Sequence, residues 1–265
     1  MKSVVILTQP RSGSSLLAGM LHKLGVFMGP EEDLARGKHK NKFGSFENHS
    51  FIKITHRILF KSKRLMLYWK RLDNKDGKVE KAVKYYEKDL IKIIKENERD
   101  VWGFKEAVII NILPYFHQHL TNPYYIVLTR DPESVVNSQI KASKNFENWK
   151  AEIKIEFSYF KPFQRFLLFL QTLRAIFTKG FIYRNKKILL KVTLDAYKKI
   201  DDFVKDKKHI RLELSELTEK PKESIQKIIA FLGIKPTKEQ INNALSFVHP
   251  ELLKSQLPKN PDKVN

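Results

Sequence analysis

The sequence contains no cysteine. Disulfides, thiolate metal sites and cysteine nucleophiles are therefore excluded, and no redox compartment can be read from them. Nor is there a run of the ~18 uninterrupted apolar residues that a membrane-spanning helix needs. The early apolar run Val4–Leu7 is too short for a signal peptide, so the expected location is cytoplasmic. No internal repeat and no low-complexity tract is found. The scarcest property is negative charge: 29 Asp and Glu stand against 50 Lys and Arg, a formal net charge of +21. Such an excess costs self-repulsion in the folded state and argues for an anionic partner. Nucleic acid, anionic lipid and polyanionic small molecules all satisfy that demand.

What is present describes a globular chain. Its 265 residues are 42% apolar and 30% charged, enough to bury a core. Four short apolar runs read as strands: Val4–Leu7, Val101–Lys105, Tyr124–Thr129 and Ile210–Leu214. Helical periodicity lies between them, at Leu16, Leu17, Met20, Leu21 and Leu24, across Val79–Glu98, and at Ile225, Ile228, Ile229 and Leu232 before Gly233. Strands alternating with helices predict an α/β domain on a mostly parallel sheet. Such a sheet takes ligands at the carboxyl ends of its strands, so the residues just past each strand are the place to look.

Two segments break the alternation. Asn48–Leu72 holds seven Lys/Arg and no acid, and Phe157–Leu194 holds eight, again with no acid. The second is also rich in Phe and Tyr. One reading is a membrane-surface helix. The other is a core helix pair whose Lys and Arg stems reach out to water.

Two strand ends carry chemistry. The first strand runs through Thr8-Gln9-Pro10-Arg11-Ser12-Gly13-Ser14-Ser15 straight into a helix. A strand, a small-residue loop and a helix aim backbone N–H groups and a helix dipole at phosphate. Gly13 permits close approach, Ser12, Ser14 and Ser15 add hydroxyls, and Arg11 adds a planar cationic fork. A nucleoside-triphosphate loop would read G-x-x-x-x-G-K-[ST]. Aligned on Gly13, Thr8 replaces the first Gly and Ser14 the Lys, which disfavours an ATPase or GTPase. The plainer reading is a serine-rich turn capping a helix. The second constellation follows Tyr124–Thr129: Asp131 suits an N-cap and Pro132 the first helical position, leaving Arg130 at the strand's carboxyl end. Ser138, two turns along, can point the same way and suits a second phosphate. Alternatively Arg130 pairs locally and Ser138 is a surface serine.

The pair of sites resembles the PAPS-dependent sulfotransferase superfamily, whose donor is 3′-phosphoadenosine 5′-phosphosulfate (PAPS). In that family a loop like Pro10–Ser15 grips the 5′-phosphosulfate, and an Arg with a Ser eight residues later, here Arg130 and Ser138, holds the 3′-phosphate. Gly44-Ser45-Phe46-Glu47 is similar to the glycine–aromatic–Glu step of bacterial members, and Trp102-Gly103-Phe104-Lys105-Glu106 to their W-G-x-K-D strand. Leu212–Gly233 resembles the family's C-terminal strand and helix. Where bacterial members continue K-D-P-R, this chain reads Lys105-Glu106-Ala107-Val108. It also lacks the K-x-H-x-P strand of the cytosolic enzymes, so no histidine base is expected there.

The resemblance implies one P-loop-like, three-layer α/β domain over 1–265. Its basic helical insertions, around 48–72 and 145–200, would form the acceptor side. It implies sulfuryl transfer to a hydroxyl or amine, with adenosine 3′,5′-bisphosphate (PAP) as product and no metal. Arg11 would face the bridging oxygen, Lys105 the sulfuryl oxygens, and Glu47 would be the general base. Glu106 is the second choice, and His39, His49 and His56 flank Glu47 as further candidates. The donor's roughly four negative charges leave most of the +21 unexplained. A carbohydrate or lipid-linked acceptor, or peripheral membrane contact, fits the remainder. The alternatives are a donor-binding protein without catalysis, a nucleotide kinase with a degenerate loop, and a basic nucleic-acid-binding protein lacking a recognised module.

Overall fold

The computed structural model describes residues 1–34, 44–62, 77–144, 154–155, 157–179 and 185–248. His39, the basic residues Lys63, Arg64, Lys70 and Arg71, the aromatics Phe181 and Tyr183, and the tail after Pro258 lie outside them. The four apolar runs form β1 (Lys2–Leu7), β2 (Val101–Lys105), β3 (Pro123–Thr129) and β4 (His209–Glu213). They make one sheet in the order β2-β1-β3-β4, every pair parallel. The chain leaves β1 toward one side and β3 toward the other. The crevice between the carboxyl ends of β1 and β3 is therefore the topological switch point at which such sheets bind ligands.

Strands β1 and β3 are almost continuously apolar because both sheet faces are covered. Alternate residues feed two cores. Val5, Leu7, Trp102, Phe104, Tyr125 and Val127 face one, and Val4, Ile6, Tyr124, Ile126, Leu128 and Leu212 the other. The first core is closed by α3 (His49–Lys61), α4 (Lys78–Tyr85) and α5 (Glu87–Asn97), with Leu168 of α7 (Pro162–Lys179) and Ile200 of α8 (Lys186–Val204). The second is closed by α1 (Ser14–Lys23) together with α9 (Leu214–Glu219), α10 (Pro221–Leu232) and α11 (Lys238–Ser246). The result is the three-layer α/β arrangement that the alternation of strands and helices predicts.

Local signals place most helix ends. Asp131 accepts from the Ser134 N–H at 2.7 Å and Pro132 is the first residue of α6 (Pro132–Ser143), so the chain turns into a helix directly after Arg130. Gly233 closes α10 at a φ of 57°. One expectation is corrected: the periodic stretch Val79–Glu98 is two helices, broken at Tyr86, whose N–H bonds to both Ala82 and Val83 carbonyls. Val79, Ala82 and Val83 before the break and Leu90 and Ile94 after it enter the same core, which is why the periodicity runs through the kink. Among the described residues no helix is long and apolar enough to cross a membrane.

Candidate active site

The loop after β1 folds back on itself. The Ser12 N–H donates to the Gln9 carbonyl at 3.2 Å, with Pro10 and Arg11 between them. Arg11 holds a φ of 73°, a left-handed conformation that such a turn ordinarily gives to glycine. Two residues on, Gly13 has a φ of 88°, and a Cβ there would lie 2.4 Å from Leu214 Cδ1. Only glycine fits that position. Helix α1 begins at Ser14 with Gly13 as its N-cap residue and no side chain capping it. The serines therefore do not serve as caps, and the helix N-terminus opens toward the loop.

The end of β3 is hydrogen-bonded to this loop. An Arg130 Nη donates to the Arg11 carbonyl at 3.0 Å, Arg11 Nε donates to Ser138 Oγ at 3.2 Å, and Gln139 Nε2 donates to the Pro10 carbonyl at 3.2 Å. Two guanidinium side chains and a hydroxyl thus meet where β1 and β3 end. Burial, and then the neighbouring Arg11 charge, pushes the Arg130 pKa below its ordinary value. Two like charges held together at the carboxyl ends of the two central strands attract an anion.

Tyr197, on α8, ties the two strand ends together. Its hydroxyl donates to the Arg130 carbonyl at 3.1 Å and accepts from the Arg130 N–H at 3.2 Å. Ser12 Oγ lies 3.2 Å away. A phenol has one proton, already given to Arg130, so Ser12 is the donor in that third contact. Burial raises the Tyr197 pKa, which keeps the hydroxyl protonated for this arrangement. Nothing local in the sequence marks Tyr197; its helix reads as packing. Gln139 was equally hidden, although it adjoins Ser138 and its position on α6 follows once Asp131 and Pro132 fix the helix start.

A third group lies at the end of β2. Lys105 Nζ is 2.7 Å from Glu47 Oε1 and donates to Ser15 Oγ at 3.4 Å, linking the β2 end to the first helix. The Lys105 side chain is 3% exposed and that of Glu47 30%, so the carboxylate is the solvent-facing partner. Glu47 sits between two fixed neighbours. Phe46, at a φ of 53°, is buried edge-on against Phe247. Asn48 caps α3, accepting from Ser50 and Phe51 N–H groups, and donates to Asn97 Oδ1 at 2.6 Å. Glu106 is buried, and its carboxylate accepts from the Val108 N–H at 2.9 Å. Burial, reinforced by the Glu47 charge, raises its pKa to about 8. It holds its proton at neutral pH and is poorly suited to accept another. His56 is driven down to about 3 by burial and by His49, so it stays neutral. His49 opens α3, its ring 5.0 Å from that of Tyr159.

Of the residues singled out in the sequence, Pro10 to Ser15, Lys105, Glu106 and Arg130 lie at or just past the ends of β1, β2 and β3, Ser138 lies on α6, Glu47 precedes α3, His49 and His56 are on α3, and His39 is outside the described residues. Among the described residues no group of three or more His, Asp or Glu could hold a metal ion.

No curated protein sequence matches the chain significantly. Among solved structures, the chain resembles the sulfotransferase domain from the curacin biosynthetic pathway, with a TM-score of 0.51 and 18% identity over 91% of this chain and 76% of that one. It also matches the sulfotransferase domain of a Synechococcus olefin synthase, at TM-score 0.49 and 17% identity over 96% and 82% of the two chains. A Mycobacterium avium sulfotransferase matches at 0.49 and 11% over 99% and 70%. The family model of the sulfotransferase domain matches residues 1–260, nearly the whole sequence. The chain belongs to the sulfotransferase domain family.

Proposed function

We propose that this sulfotransferase moves the sulfuryl group of PAPS onto a hydroxyl or amine of a carbohydrate or lipid-linked acceptor, releasing PAP. One observation carries the reading: the Arg130 guanidinium touches the Arg11 carbonyl while Arg11 touches Ser138. Two cationic forks at adjacent strand ends suit one molecule with two anionic ends. The positive-φ loop and the helix N-terminus left without a side-chain cap suit its phosphosulfate.

Each residue then has a role. The loop Pro10–Ser15 would hold the 5′ end and Arg130 with Ser138 the 3′-phosphate. A new S–O bond forms to the acceptor oxygen as the S–O bond to phosphate breaks, and the breaking pair leaves on the phosphate oxygen. Arg11 and the N–H groups opening α1 would stabilise that charge. Glu47, with Oε1 held by Lys105, would take the acceptor proton on its other oxygen. Lys105 would face the transferring sulfuryl oxygens. On this reading the chain is a single domain, and the acceptor side is built from α3 and the segment before α7. Tyr159, just ahead of α7, contacts the His49 ring two residues from Glu47.

Calorimetry tests the donor assignment. PAP should bind without magnesium and more tightly than ATP. Arg130→Ala should weaken PAP by roughly 30- to 100-fold, the loss of a charge-assisted contact, and remove the preference over ATP. Tight binding of ATP only with magnesium would overturn the reading.

A further inference from the structure

Helix α7 is turned with an apolar face outward. Phe163 is 71% exposed, Phe166 58%, Phe169 49% and Leu170 44%, whereas Leu168 is fully buried. At about 100° per residue, Phe163, Phe166 and Leu170 fall within roughly 60° of arc, and Leu168 points to nearly the opposite side. A helix apolar on both sides needs cover on both. The core covers the Leu168 side. The outer side holds two aromatic rings and a leucine in one stripe, with the Phe169 ring at its margin, a far larger apolar surface than scattered single residues present.

The surroundings say what covers it. The stretch from Phe157 to Leu194 has eight Lys and Arg and no acid. Lys161 and Arg165 stand exposed beside the stripe, and Lys187 and Lys191 are exposed on α8. Lys186 pairs with Glu133 at 2.9 Å, and Arg165 Nε donates to the Phe160 carbonyl at 2.8 Å. A second copy of this chain would bring two such basic flanks together, each on a molecule of charge +21, and is disfavoured. Aromatic side chains flanked by Lys and Arg fit the headgroup region of a bilayer, where the rings enter the acyl boundary and the cations meet anionic headgroups.

We propose that the outward face of α7 docks this protein on an anionic lipid bilayer. The contact is peripheral. It lies on the side that also forms the acceptor end of the site: Tyr159, three residues ahead of α7, packs edge-on against both His49 and His56 of α3. Docking there would bring an acceptor held in the membrane to Glu47.

Vesicle sedimentation tests this without donor or acceptor, so its failure is separate from failure of the transferase reading. The full chain should pellet with phosphatidylcholine vesicles carrying about a third phosphatidylserine, and at least about tenfold less with phosphatidylcholine alone. Phe163→Ser with Phe166→Ser and Leu170→Ser should lower binding about tenfold or more. Lys161→Glu with Lys187→Glu should lower it several-fold and flatten its salt dependence. If the triple variant does not fold, Phe163→Ser alone, at the most exposed ring, should still lower binding by several-fold. No binding to anionic vesicles overturns the proposal. So does binding that salt abolishes and the serine variants leave unchanged, which would mark a polyanion footprint. So does a stable dimer that the serine variants dissociate, which would mean a second copy covers the face.

Discussion

The proposed donor and acceptor sides of the site are held in different ways. On the proposed donor side, the loop after β1 and the end of β3 are joined by side chains that donate to main-chain carbonyls: an Arg130 Nη to Arg11, Gln139 Nε2 to Pro10, and the Tyr197 hydroxyl to Arg130. The proposed acceptor side is held by contacts of one side chain with another. Lys105 reaches Glu47 across one ion pair, and aromatic contacts among His49, His56 and Tyr159 join α3 to the segment before α7. Each tie of the first kind fixes a main-chain carbonyl beside a strand end, so losing one side chain loses one anchor of the loop. Each tie of the second kind joins two side chains, so a change in either partner breaks it.

The largest effect is expected where the acceptor side meets the chemistry. Glu47→Gln should cut turnover by about 10²- to 10⁴-fold, the range of general-base catalysis, and leave PAP affinity unchanged. Retained turnover would remove Glu47 from its role. Loss of PAP binding in the same variant would show that the two sides are not separable.

Glu106 gives the next effect, on stability. Its carboxyl holds its proton to about pH 8 in the fold, against 4.5 when unfolded. Below 4.5 both states are protonated and there is no penalty. Between 4.5 and 8 the unfolded chain releases a proton that the fold retains, so stability falls as pH rises, by up to a few kcal/mol. Glu106→Gln keeps an acceptor for the Val108 N–H and should flatten this slope. Unfolding midpoints at pH 5 and 8.5 measure it, and an unchanged slope would show that Glu106 is not the source.

The smallest effect tests the tie within the donor side. Tyr197→Phe removes three contacts of one hydroxyl while keeping the ring, and should weaken PAP by roughly three- to tenfold. Paired with Ser12→Ala, the two losses should be clearly less than additive, because one hydrogen bond is common to both. Additive losses would mean that the Ser12 contact does not couple the two residues, and no loss in Tyr197→Phe would mean that Tyr197 only fills space.

Much of the frame was readable from local pattern. The β-branched and aromatic runs at Val4, Val101 and Tyr124 are strands because no other short element buries both faces of so apolar a run, whereas the run at Ile210 becomes a strand in which only Leu212 is buried. Asp131 and Pro132 fix the start of α6 by capping chemistry that acts within four residues, and with it the place of Ser138. The break at Tyr86 was not readable, since burial keeps the same period on either side of it. Nor could the direction of α7 be read: its sequence is apolar nearly all round, and only packing against the sheet decides that Leu168 turns inward and Phe163 and Phe166 outward.

By itself, the sequence determined the strands, the phosphate-type loop, the Arg130–Ser138 spacing and the basic excess, because these depend on neighbours a few residues away or on simple sums. Tertiary structure alone brought Tyr197 to Ser12 and Arg130, set Lys105 against Glu47, and kept the proton on Glu106. Each of those depends on where distant parts of the chain come to lie and on how much water the packing removes, and neither quantity is local.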